Sequence, residues 1–224
     1  MASPSLTKIA YQTLQQGKSL AGLAHKGLSS KIMELILKDE LINEFPLSNE
    51  LIRELRFSMT KLQEEDWKDA EDGIYPKDLL FEVPWLEWAR KYPLIWLDMP
   101  KTWIRRKRNK TRDIPKKINK DLYPDYYLQN FHHQTDGYLS DHSASLYDIQ
   151  VEILFNGTAD SMRRRVLCPI KNGIKHLQDR NLSQIRILDV ATGTGRTLQQ
   201  IRRAFPEAEL FGLDLSGAYL KQAS

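Results

Sequence analysis

Gly193 and Gly195, with the acids Asp189 and Asp214, stand at spacings that suit the binding of a nucleoside-containing ligand. Glycines in a strand-to-helix turn let the backbone approach a ligand closely, and amides at a helix start can hold an anionic group such as a carboxylate. Asp214 follows Gly195 by 19 residues and can accept both hydroxyls of a ribose, as acids so placed do in nucleoside-binding folds. The dinucleotide fingerprint would put its third glycine at position 198. This chain has Leu198 there, so tight pyrophosphate docking is disfavoured.

The flanking residues read as the elements that would position this group. Ile185-Arg-Ile-Leu-Asp-Val190 is short, aliphatic and β-branched, as expected of a parallel strand buried on both faces. After Ala191-Thr-Gly-Thr-Gly195, residues Leu198, Ile201 and Phe205 mark the apolar stripe of a helix closed by Pro206. A second strand, Glu209-Leu-Phe-Gly-Leu-Asp214, follows, and Ser216 is placed to cap a further helix. The unit is strand, glycine turn, helix, strand, with an acid at the tip of the second strand.

Leu188-Asp-Val-Ala-Thr-Gly-Thr-Gly195 resembles the first motif of class I S-adenosylmethionine-dependent methyltransferases, and Phe211-Gly-Leu-Asp-Leu-Ser216 resembles their second. The tetrad Ala191-Thr-Gly-Thr194 is similar to that of the ubiquinone and menaquinone biosynthesis methyltransferases. Two upstream stretches, Tyr147 to Arg164 and Tyr126 to His142, resemble the same group and its cyanobacterial or plastid-type branch. The resemblance implies that Asp189, Gly193, Thr194 and Gly195 surround the methionine part of S-adenosylmethionine, with Ala191 among the cofactor-binding positions. It further implies that Asp214 holds the ribose and Leu215 packs on the adenine. Ala191 departs from the glycine usual in the wider family, a departure the quinone-type members share. The implied activity is methyl transfer to a small organic acceptor, with a lipid-soluble one as an option, by in-line attack on the sulfonium methyl. No catalytic residue is assigned.

The implied fold is α/β: a helical N-terminal region followed by the first β-α-β unit of a Rossmann-like methyltransferase domain. Only 29 residues follow Gly195, so the domain is expected to be C-terminally truncated, its sheet uncovered and the chain inactive alone. The expected divisions are 1–118 (helical, with an aromatic cluster and basic linker), 119–180 (helices and loops forming a lid) and 181–224 (the start of the cofactor domain). The rival expectation is a non-catalytic interaction protein in which residues 1 to 180 act and the nucleotide unit is a remnant.

Upstream, His132, His133, Asp136, Asp141 and His142 are metal-ligand types, yet their spacing fits no standard site. No metal is expected, and a polar lid segment is preferred. If the acceptor is an acidic carbon, one of these histidines or Tyr138 could be the base.

Residues 5 to about 72 read as helical, with Ile32, Leu35, Ile36, Leu41 and Ile42 near helical spacing, glycines 17, 22 and 27 as interruptions, and Pro46 as a stop. Trp85, Trp88, Trp96 and Trp103 follow, broken by Pro84, Pro93 and Pro100. Residues 146 to 180 return to helical spacing. Positions 101 to 120 hold ten Lys or Arg against Asp113 alone; this local +9, set against +4 overall, leaves the remainder near −5. The plainer reading puts the tryptophans in a small core and the charges in an exposed, solvated linker. A second places both at an anionic membrane surface. Nucleic-acid binding ranks last, because nothing that reads bases is recognisable.

The single Cys168 excludes an internal disulfide, no apolar run reaches the length of a membrane span, and Met1-Ala-Ser-Pro-Ser5 lacks the apolar core of a signal peptide. The expected setting is the cytoplasm, with peripheral membrane contact as an option.

Overall fold

The computed structural model describes residues 5–37, 48–116, 118–130, 135–177 and 181–224. Leu41, Ile42, Pro46, His132, His133 and the start of the chain lie outside the described residues. The fold is mostly helical, with one two-stranded parallel sheet. Two compact units make it up: residues 1–83, 152–180 and 203–206 in one, and residues 84–151, 181–202 and 207–224 in the other.

In the first unit, α1 (Leu6–Leu37) and α2 (Asn49–Glu71) pack on each other, and α2 packs on the short α5 (Ala159–Arg164), which α6 (Leu167–Lys175) follows. Ser48 caps α2 by accepting from the amide of Leu51 at 3.1 Å, which satisfies one of the donors every helix start leaves open. Glycines 17, 22 and 27 do not interrupt α1, which runs through all three. At Gly22 the reason is steric: a Cβ there would meet Cα of Asn156 at 3.1 Å, so the missing side chain permits close approach of another segment. The core comprises Tyr11, Trp67, Tyr75, Leu79, Leu80 and Leu167.

At its centre is a buried carboxylate, Asp66. Arg164 clasps it with both forks, Nε to Oδ1 at 2.8 Å and Nη2 to Oδ2 at 2.6 Å. The hydroxyls of Tyr11 and Tyr75 donate to Oδ2 and Oδ1, each at 2.6 Å. Two oxygens carry about four acceptor sites, so the four donors saturate the group. Burial, then the Asp66 charge, pushes the pKa of both phenols up and keeps them protonated as donors.

The second unit contains α3 (Trp85–Lys107), most of α4 (Asp141–Leu154) and the strand pair. Contrary to the expectation that prolines break the aromatic segment, α3 continues through Pro93 and Pro100. Pro93 is exposed, so the carbonyl that its ring deprives of an amide partner can turn to water. The basic run is likewise not a free linker throughout. Arg105 lies in the last turn of α3, is buried, and donates to the carbonyl of Thr135 at 2.7 Å. Asn130 then clasps Asp113, accepting from its amide at 2.8 Å and donating to its carbonyl at 3.1 Å.

Strands β1 (Arg186–Val190) and β2 (Glu209–Leu213) pair in parallel, from Arg186 opposite Glu209 to Val190 opposite Leu213. They are joined by α7 (Arg196–Ala204), and α8 (Gly217–Ala223) follows β2. The expectation of strands buried on both faces needs correction. Ile187, Asp189 and Leu210 are half-buried, whereas Leu188, Val190, Phe211 and Leu213 are exposed and, being register partners, form one bare apolar face.

Among the described residues no helix is long and apolar enough to cross a membrane.

Candidate functional site

The β1 to α7 turn is built from unusual backbone. Ala191, Gly193 and Gly195 all take left-handed conformations, with φ of 63°, 59° and 74°. Gly195 is confined by packing as well: a Cβ there would stand 2.9 Å from Cβ of Ala223 on α8. Thr192 extends the strand ladder by donating its amide to the carbonyl of Leu213 at 3.0 Å, and its hydroxyl donates to Asp189 at 2.9 Å. Asp189 therefore holds the turn from below.

Asp214 stands directly across from this turn. Its Oδ2 accepts the amide of Gly193 at 2.8 Å, while Oδ1 accepts the amide of Ser216 at 2.8 Å and, at a longer 3.3 Å, the hydroxyl of Tyr127. These neutral donors fill three of about four acceptor sites, and the longest contact is the weakest. The carboxylate is half-buried and keeps capacity for a further donor. Ser216 caps α8 as expected, accepting from the amide of Tyr219 at 3.2 Å, and its own hydroxyl donates to the carbonyl of Tyr138 at 2.5 Å.

The structure thus brings Asp189, Ala191, Gly193, Thr194, Gly195 and Asp214 into one turn-and-tip constellation. Leu215 lies beside it with its side chain half exposed. Thr194 faces elsewhere: its hydroxyl donates to Asp148 of α4 at 2.8 Å, and both residues line a cavity of about 140 Å³ with Trp88, Ser145, Arg196 and Gln222.

A tyrosine cluster adjoins the constellation, a feature the sequence did not advertise as such. Tyr138 sits 5.8 Å from Tyr127, 6.1 Å from Tyr147 and 5.6 Å from Tyr219 between ring centroids, and Tyr147 is 5.3 Å from Tyr219. Edge-on and tilted rings at these distances suit the aromatic quadrupole. Burial is the main cause that raises the pKa of Tyr127, Tyr138 and Tyr219; the Asp214 charge adds to this at Tyr127 and Tyr138. Tyr138 is therefore a poor base near neutral pH, because its phenolate is disfavoured. Asp148, Tyr127 and Tyr219 escaped the sequence reading as functional candidates; the one available signal was the Tyr147-Asp148 pair within the upstream resemblance.

Of the other candidates, His142 engages Asp98 through Nε2 at 2.5 Å, and Asp141 reaches Lys221 at 3.4 Å. Asp136 donates its amide to the Ser143 hydroxyl at 3.3 Å. Their partners thus lie outside the proposed cluster. Among the described residues no group of three or more His, Cys, Asp or Glu side chains could hold a metal ion.

No protein-family profile, curated protein or solved structure matches this chain. Its functional reading rests on the turn and the acid facing it.

Proposed function

We propose that this chain binds S-adenosylmethionine at the β1 to α7 turn, as the cofactor-holding part of the machinery for methyl transfer to a small organic acceptor. The observation that carries the reading is the pairing of Asp214 with the Gly193 amide. It places a half-buried carboxylate with spare acceptor capacity at the mouth of a left-handed glycine turn. That is the arrangement a ribose diol requires beside backbone amides. The finer fold reading, the first β-α-β unit of a Rossmann-like methyltransferase domain, belongs to the same proposal.

The residues fit the cofactor by the chemistry of their donors and acceptors. Asp214 accepts the ribose hydroxyls, with the long Tyr127 contact the cheapest to give up. Gly193 keeps a side chain out of the path of the methionine moiety, Gly195 lets α8 pack close against the turn, and Asp189 fixes the turn through Thr192. Leu215 offers its exposed apolar surface to the adenine. When bound, the cofactor supplies an electrophilic methyl group on a sulfonium. Buried Tyr219 and half-buried Tyr127 and Tyr138 exclude water and stay protonated, so they orient by donating rather than by taking a proton.

Calorimetry with S-adenosylhomocysteine tests the proposal. The folded parent chain should bind, Asp214→Ala should lose about tenfold or more in affinity, and Asp214→Asn should fall between them. NADH and ATP should compete poorly. Equal binding by parent and Asp214→Ala would remove the basis of the reading, and tighter binding of NADH would replace it with a generic nucleotide site.

A further inference from the structure

We infer that one face of α3 docks on an anionic lipid surface, a conclusion independent of what the glycine turn binds. Leu86, Arg90, Pro93, Leu94, Leu97, Lys101, Ile104 and Arg108 recur at intervals of three and four residues along α3 and its cap, so they share a face. Every one of them is exposed, Leu86 by 77% and Leu97 by 70%. The stripe interleaves aliphatic side chains with cations along its whole length.

Neither acid of α3 interrupts it. Glu87 is joined to Lys91 one turn on, and Asp98 is buried against His142. Around and beyond the end of the stripe, Arg106, Lys107, Lys110 and Arg112 are exposed, and Asp113 is the next acid in the sequence after Asp98. The tryptophans contribute little to this face: Trp103 is buried, Trp88 and Trp96 are half-buried, and Trp85 is exposed.

A bilayer interface complements this pattern. Leucine and isoleucine enter the boundary between headgroups and acyl chains, while arginine and lysine extend their stems along them to reach lipid phosphates and carboxylates. A solvated surface would leave the aliphatic residues without a partner. A protein-packing face would leave the cations without one, and a nucleic acid offers phosphates but nothing for Leu86, Leu97 and Ile104. The interleaving favours lipid over the other two.

Co-sedimentation of the full chain with phosphatidylcholine vesicles, with and without phosphatidylserine, is the test. The chain should partition only onto the phosphatidylserine vesicles, and added salt should weaken it. Leu97→Ser combined with Ile104→Ser should lower affinity by on the order of tenfold. Lys101→Glu with Arg108→Glu should abolish binding. All four positions are exposed, so thermal midpoints should stay at the parent value. Leu35→Ser, on the exposed surface of α1, should leave partitioning unchanged.

Three results would each overturn the inference: no partitioning by the parent chain, equal partitioning by the leucine–isoleucine pair variant, or equal loss from Leu35→Ser. Tighter binding to single-stranded RNA than to vesicles, indifferent to the aliphatic changes, would reassign the face to nucleic acid.

Discussion

Two aspartates, one in each unit, meet opposite treatment. Asp66 is fully buried and receives a guanidinium fork and two phenols, so all of its acceptor sites are taken. Asp214 is half-buried and receives two backbone amides and one distant phenol. The chemical group is the same, yet the first is finished as a structural staple and the second is oriented with room to spare. Complete satisfaction rigidifies a core, and incomplete satisfaction of a half-exposed carboxylate is what leaves it able to accept from a further donor.

The sharpest way to break this comparison is Asp66→Ala. It should cost about 3 to 5 kcal/mol in urea denaturation, because Arg164 would be left buried without its counter-charge. A loss below about 1 kcal/mol would show that Asp66 is not the staple of its unit. At the second aspartate, Asp214→Ala should cost only about 1 to 2 kcal/mol of stability, through two orphaned amides. Its larger effect should be on cofactor-product binding rather than on folding.

Gly195→Ala should destabilise by roughly 1 to 2 kcal/mol, since φ of 74° disfavours a Cβ and Ala223 stands in its way. A thermal melt of this variant reads that cost directly. The smallest effect belongs to Tyr127→Phe: loss of a 3.3 Å contact should leave stability within about 0.5 kcal/mol. The same change should tighten S-adenosylhomocysteine by up to about threefold in calorimetry by freeing Oδ1 of Asp214, a gain that stays below about 1 kcal/mol.

The strand, turn and tip were legible because each is local. Aliphatic runs, two glycines, a capping serine and an acid at fixed spacing sit within about thirty residues. The Asp66 cluster was invisible for the converse reason: Asp66 and Arg164 are 98 residues apart, and no periodicity connects them. The tyrosine cluster draws on the loop before α4, α4 itself and α8, three segments whose convergence only the tertiary fold sets. Pro93 misled because a proline on an exposed helical face can leave the freed carbonyl to water; nothing comparable explains Pro100, which is half-buried. Arg105 looked like one cation in a run until Thr135 supplied an acceptor. The bare sheet face was anticipated from the small number of strands, although the same strands taken singly read as doubly buried.

That bare face has a dynamic consequence. Two five-residue strands covered on one side have few buried contacts, so they should open locally at far lower free energy than the Asp66 core. A ligand bridging Gly193 and Asp214 would tie the end of one strand to the end of the other. Its occupancy would then be written along residues 186–190 and 209–213 as slowed amide hydrogen exchange, including at amides the ligand never touches.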